Sequence, residues 1–286
     1  MLRNTFMHIP RIGQITERYL WEAGILCWDD FFEKTTFRQS PERKDFMKNQ
    51  LEESRLHYQN NNPYYFAGLL PSNQLWRLFP KFRDSVAYLD IETTGLESWN
   101  NEITTIALYD GKTIFTYVNG QNLNHFKKNI MKYQVVITYN GKCFDIPFIK
   151  SCLGISLNQV HIDLRYILAS LGFRGGLKGC ERQLEINRNE LSGIDGYFAV
   201  LLWHDYIQNN NQKALDTLLA YNIQDVVNLE TLMVISYNLN LKKTLFHRSH
   251  QLSLPAQPDI PFRADKKTVE RIKVEFYSGT EPYYYK

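Results

Sequence analysis

The chain is short of the residues that would build a disulfide scaffold or a membrane anchor. Its 286 residues include only 4 cysteines, Cys27, Cys143, Cys152 and Cys180, with no C-x-x-C pairing. A disulfide framework or a zinc ribbon is therefore not expected, and the thiols read as reduced ones in an intracellular protein. Long apolar runs are also missing. The longest, "YFAVLLW" at 197–203, is far too short to cross a bilayer. The opening "MLRNTFMHIPRIGQ" has no apolar stretch of the kind a secretory leader carries, so a cytoplasmic location without a membrane partner is expected. Nor is there an excess of one charge: 33 Lys and Arg against 30 Asp and Glu leave a formal +3. That balance permits a nucleic-acid partner without demanding one, because phosphate binding depends on where the charge lies.

What the chain does have is enough apolar and aromatic material, 44% and 14%, for a sizeable core. The length suits one large domain with appendages, or two domains. Residues 1–35 read as a small helical unit, with "RIGQITERYLWEAGI" forming a helix between two glycine turns. Residues 36–84 read as a connecting helix and an irregular linker. From Ser85 the pattern becomes strand-like, through "SVAYLDI", "EITTIALYD" and "KTIFTYV". Asp110-Gly111 between the last two is a tight hairpin signal. A helix near Leu123–Met131 and a strand "QVVITYN" follow, then helices "DIPFIKSCLG" and "LRYILASLG" separated by the extended "VHIDL". Gly175-Gly176 opens another helical stretch. In "QKALDTLLAYNIQDVVNLETLMVISYNL" apolar residues recur three and four apart, as on one stripe of a long helix. Residues 241–286 are an extension, in which Pro255, Pro258 and Pro261 and the end "VEFYSGTEPYYYK" predict an extended surface segment. Its Tyr283, Tyr284 and Tyr285 would dock on the protein's own surface or stack on single-stranded bases. Strands first and helices later predict an α/β fold, a mixed sheet flanked by helices.

The chemistry is concentrated in "AYLDIETTGL", 87–96. Side chains alternate along a strand, so Tyr88, Asp90 and Glu92 share one face while Leu89 and Ile91 share the other. Two acids this close repel and raise each other's pKa unless a cation neutralises them, and oxygen-only ligands suit Mg²⁺ or Mn²⁺. The other reading is an edge strand with its acids in water. In "ITYNGKCFDIPFI" (137–149) Asp145 begins a helix with Pro147 in its first turn, which is also the place of a simple N-cap. In "YNIQDVV" (221–227) Tyr221 and Asp225 are four apart and stack on one helix face, beside the apolar stripe; a purely structural tyrosine fits that pairing as well.

In this order and spacing the three segments resemble the motifs of the DEDD superfamily of 3′→5′ exonucleases, whose fold is ribonuclease H-like. Here they stand as Asp90-Ile91-Glu92, Asn140-Gly141-Lys142-Cys143-Phe144-Asp145, and Tyr221 four before Asp225. Position 220 is Ala220 where a second branch would place a histidine, so the likeness is to the tyrosine branch. "YLDIETTGL", "HIDLRYILASLGFRGGLKGCERQLEI" and "GYFAVLLWHDY" bring it nearest to the YprB-type exonuclease-like family, across roughly 64–240. The resemblance implies an exonuclease domain at 85–240, with Asp90, Glu92, Asp145 and Asp225 holding two divalent cations, Mg²⁺ or Mn²⁺. It implies Tyr221 as a neutral catalytic phenol that orients water and phosphate, and substrate contacts at Thr93, Asn140 and Phe144. Single-stranded DNA is the expected substrate. The alternatives are an RNA 3′-end trimmer with the same chemistry, and a nucleic-acid-binding or partner-recruiting module that keeps the acids without catalysis.

Three further features carry expectations. "HIPRIGQITERYLWEAGI" resembles a helix-hairpin-helix, with Arg11 where the hairpin's first glycine would stand; it would bind a DNA phosphate, or only pack. Lys178, in "GGLKG", reads as a solvated lysine at a helix start or as a phosphate ligand past the glycines. His161 and Asp163 would assist the site, or Asp163 would cap the next helix.

Overall fold

The computed structural model describes residues 1–34, 39–188, 191 and 194–277; Tyr283, Tyr284 and Tyr285 lie outside them. A single 3-10 turn at Leu2–Asn4 precedes the "HIPRIG" hairpin, and α1 (Gln14–Glu22) follows it. Only the second helix of a helix-hairpin-helix is therefore present in full. Arg11 takes φ 67° at the hairpin, a left-handed conformation that normally favours glycine. α2 (Trp28–Glu33) and α3 (Pro41–Gln59) come next.

The expected irregular linker is instead a chain of short helices: α4 (Pro63–Leu69), a 3-10 stretch Ser72–Leu78 and α5 (Phe79–Phe82). The Asn62-Pro63 pair serves as a helix start. Asn62 accepts the Tyr64 N–H in front of Pro63, where the missing proline donor would have had no partner anyway.

Five strands then build the sheet: β1 (Val86–Thr93), β2 (Ile103–Tyr109), β3 (Ile114–Val118), β4 (Val135–Thr138) and β5 (Val160–Asp163). Their order is β3-β2-β1-β4-β5. β1–β2 and β2–β3 pair antiparallel, while β1–β4 and β4–β5 pair parallel. The extended "VHIDL" is thus the fifth strand. This mixed sheet flanked by helices is the ribonuclease H-like fold. Between β3 and β4 lies α6 (Phe126–Ile130), between β4 and β5 α7 (Asp145–Leu153), and after β5 α8 (Leu164–Ser170) and α9 (Gly176–Gln183). α10 (Gly196–Asn209) leads to α11 (Gln212–Leu241), the longest helix among the described residues at 30 residues.

Alternation along β1 decides the layers. Ala87, Leu89 and Ile91 pack with Phe126, Ile130, Phe148 and Ile149 of α6 and α7. Tyr88 points the other way, into a cluster with Val226, Leu229 and Met233 of α11. Each such fully buried side chain contributes roughly 1.5–3 kcal/mol. α11 is buried on nearly every side, not along one stripe, because α10 covers the face turned away from the sheet. The larger cluster runs on into the N-terminal unit, where Trp21 meets Phe246 at 5.2 Å, and into the Ser72–Leu78 stretch, where Trp76 meets Tyr237 at 5.6 Å. A buried ion pair, Arg77 to Glu17 at 2.9 Å, joins the same layers.

The tail departs from expectation as well. Past Pro261 the chain forms α12 (Lys266–Tyr277). Asp265 accepts the Thr268 N–H at its start, so the prolines confine the extended backbone to the segment before it. Among the described residues no helix is long and apolar enough to cross a membrane.

Candidate metal centre and active site

Where β1 ends, its register against β2 slips: Glu92 faces Thr105, but Thr93 faces Ile103. A bulge of this kind re-aims the side chains beside it. Alternation puts Asp90 and Glu92, just ahead of the bulge, on the face turned toward α11, where Asp225 meets them. One carboxylate oxygen from each of Asp90, Glu92 and Asp225 lies within 4.8 Å of the others. The fourth acid, Asp145, stands beside this trio but not in it. It is buried at the start of α7, behind the Phe144 N-cap position, and its Oδ1 accepts the Ile91 N–H at 3.2 Å. Asp145 is thus tied to β1 and does not cap its own helix.

The cluster is electrostatically strained. Burial first, then the charges of Asp225, Asp145 and Glu92, push the Asp90 carboxyl well above the usual range, while a bond from Asn222 opposes the shift. Glu92 is raised well above its usual value by burial and Asp225, with Lys178 acting against. Burial lifts Asp145 to about 7. Asp225 Oδ1 is buried without an aligned hydrogen bond among the described residues, the Arg188 guanidinium standing beside it as an ion pair. Half-buried to buried, charge-rich and all oxygen, these residues fit a hard divalent cation.

Tyr221 sits one turn before Asp225 on α11 and is 4% exposed. Burial and the three acids push its phenol far above the ordinary value, so it is neutral. Lys178 is half-buried. Its ammonium donates to the Ile194 carbonyl and lies 4.5 Å from the Tyr221 ring centroid. The Thr93 hydroxyl donates to the Gly95 carbonyl at 2.6 Å. Asn140, at φ 66°, accepts from Arg165 through Oδ1 at 2.5 Å, and Phe144 lies 5.0 Å from Phe148 on the far face of the sheet. Gly141 follows because a Cβ there would collide with the Thr138 side chain.

Asp163 caps α8 through the Arg165 N–H and also accepts from the Asn140 and Lys142 N–H groups. It thus fixes the loop that delivers Asp145. His161 bonds Thr138 at 2.9 Å behind that loop.

Three residues at the site are not singled out by the sequence motifs. Asn222 donates to Asp90 Oδ2 at 2.7 Å and accepts from Thr105 at 3.1 Å; its place next to Tyr221 is the one clue. Arg188 and Glu181 form a buried ion pair at 2.5 Å, and Arg188 Nη2 lies 2.5 Å from Asp225 Oδ1. "EINRNEL" shows no periodicity that would point inward.

Residues 87–237 match the RNase_H_2 family, of the RNase_H superfamily. Among solved structures, the chain is similar to NrnC of Brucella melitensis at 18% identity and a TM-score of 0.39, over 58% of this chain and 78% of that one. With NrnC bound to pGG the values are 15% and 0.40, over 73% and 93%. With the family B DNA polymerase of Pyrobaculum calidifontis they are 15% and 0.43 over 55% of this chain, which spans only 24% of the polymerase. No curated protein matches the chain.

Proposed function

Since the chain belongs to the ribonuclease H superfamily, we propose that it is a metal-dependent 3′→5′ exonuclease of the DEDD tyrosine branch, nearest the YprB-type family, acting on single-stranded DNA. One observation carries this reading: oxygens of Asp90, Glu92 and Asp225, from a strand and a distant helix, lie within 4.8 Å of one another. Those three with Asp145 would hold two Mg²⁺ or Mn²⁺ ions, which when bound acidify a water and neutralise charge on the scissile phosphate.

The chain's own residues do the rest. Asn222 fixes the outer oxygen of Asp90, and the Ile91 N–H fixes Asp145, so the acids are set before any ligand arrives. Tyr221, neutral and rigid in its apolar surroundings, orients water and phosphate without exchanging a proton. Thr93 and Asn140, at the strand ends beside the acids, are assigned to the substrate's approach. Lys178, by the Tyr221 ring, is assigned to offsetting charge at the site, while Phe144, packed on Phe148 on the far face, supports the loop that carries Asp145.

End-labelled single-stranded DNA incubated with Mg²⁺ or Mn²⁺ is expected to shorten from its 3′ end. Chelator should silence the reaction, and Asp90→Asn should lower it by roughly 10²–10³ or more. Preference for RNA would move the assignment to RNA trimming. Binding without metal-dependent hydrolysis of either would leave a recruiting module.

A further inference from the structure

Arg188 brings a cation into the acid cluster. Its Nε and Nη2 fork onto the two Glu181 oxygens at 2.5 and 2.8 Å. Glu181 is itself fixed from α11 by Asn228 at 2.8 Å. The Arg188 side chain is 8% exposed, so it is built into the site and not a stray surface charge. Its reach to Asp225 Oδ1 is an ion pair at 2.5 Å without hydrogen-bond alignment, and Nη1 is buried with no partner among the described residues. Asp225 thus gives Arg188 an ill-fitting contact, while Glu181 gives it a good one.

We propose that Arg188, held on Glu181, is a resident countercation that competes with the divalent ion for Asp225, so that metal loading and release of the guanidinium are a single exchange. This rests on the reading of Asp90, Glu92 and Asp225 as metal ligands. In the metal-free protein the guanidinium offsets part of the carboxylate repulsion. Once the ion is bound, Arg188 keeps Glu181 and loses Asp225.

The exchange predicts opposite effects from the two partners. Removing a unit positive charge within several ångströms of a divalent ion tightens binding roughly tenfold even at the dielectric of water. Mn²⁺ binding to the full chain, without nucleic acid, is measured by calorimetry and by electron paramagnetic resonance of the free ion. Arg188→Met is expected to tighten it roughly tenfold. Glu181→Gln should weaken it, because the guanidinium then has only Asp225 to pair with, and the double variant should behave like Arg188→Met. Melting in chelator checks that each variant folds.

Unchanged or weaker binding in folded Arg188→Met overturns the exchange. Should that variant not fold, Glu181→Gln decides alone, and unchanged or tighter binding there overturns it. Asp90→Asn separates the levels: if it leaves Mn²⁺ affinity intact, the metal-site reading fails and the exchange falls with it. If it abolishes binding while Arg188→Met has no effect, only the exchange fails.

Discussion

At the residue scale, Asp90 takes its fixed position from a neutral neighbour. Asn222 donates to its Oδ2 and is itself tied to Thr105 on β2, so a carboxylate under strong repulsion still has one preferred orientation. Tyr221 is a different kind of residue: its ring packs in the apolar cluster between α10 and α11, and its phenol faces the acids. Tyr221→Phe should keep the packing and the Mn²⁺ affinity but lower turnover by roughly 10²; equal turnover in a single-turnover assay would remove Tyr221 from the site. The acids were legible in the sequence because periodicity alone puts Asp90 and Glu92 on one face of a strand, and Tyr221 and Asp225 on one face of a helix. Asp145 was legible as a helix start but not as a group bonded to β1, since that contact spans 54 positions. Arg188 was invisible for the same reason: its partners lie on α9 and α11, and nothing local in "EINRNEL" demands burial.

At the element scale, the strands were readable wherever alternation or a turn pair bounded them. Gly111, at φ 87° in the β2–β3 hairpin, is the plainest example. The connecting helix within 36–84 is α3, but the short helices after it and α12 were not readable, because each is too short or too weakly patterned for periodicity and begins at or after a proline. The hairpin ahead of α1 holds a further consequence of packing. His8 bonds Ser54 of α3 through Nε2 at 2.8 Å, and its ring faces Trp28 and Phe66. Ser54 already donates to the Gln50 carbonyl, so His8 must donate through Nε2, and its buried Nδ1 has no partner among the described residues. Burial first, then Arg77, depresses the His8 pKa from 6.5 to about 3. Between those values the unfolded chain binds a proton that the folded one refuses. Stability is thus fully present above pH 6.5 and falls as the pH drops toward 3, at up to about 1.4 kcal/mol per unit. Urea titrations across that range should show the slope, and His8→Gln should remove this component; an unchanged slope would clear His8 of the effect.

At the scale of the whole molecule, the apolar cluster that backs the site is the one that holds the N-terminal unit. It includes Phe6, Leu20 and Trp28 as well as Val226 and Met233 of α11. Removing residues 1–34 takes away several side chains worth roughly 1.5–3 kcal/mol each, against a net stability of about 5–15 kcal/mol for typical proteins. The truncated chain is expected to lose its cooperative melt by circular dichroism and to aggregate on gel filtration. A soluble, sharply melting product would show that the unit is dispensable. This joint was not readable from composition, because a boundary in sequence pattern says nothing of which faces meet in space.

α11 carries a final implication. The same 30-residue rod presents Asp225 to β1 and, three turns on, Tyr237 to Trp76. Adding one residue between those two positions would rotate everything beyond it by about 100°, so either the acid or the tyrosine would face the wrong way. Surface loops can gain or lose residues over generations; along this stretch of helix the residue count itself is under constraint.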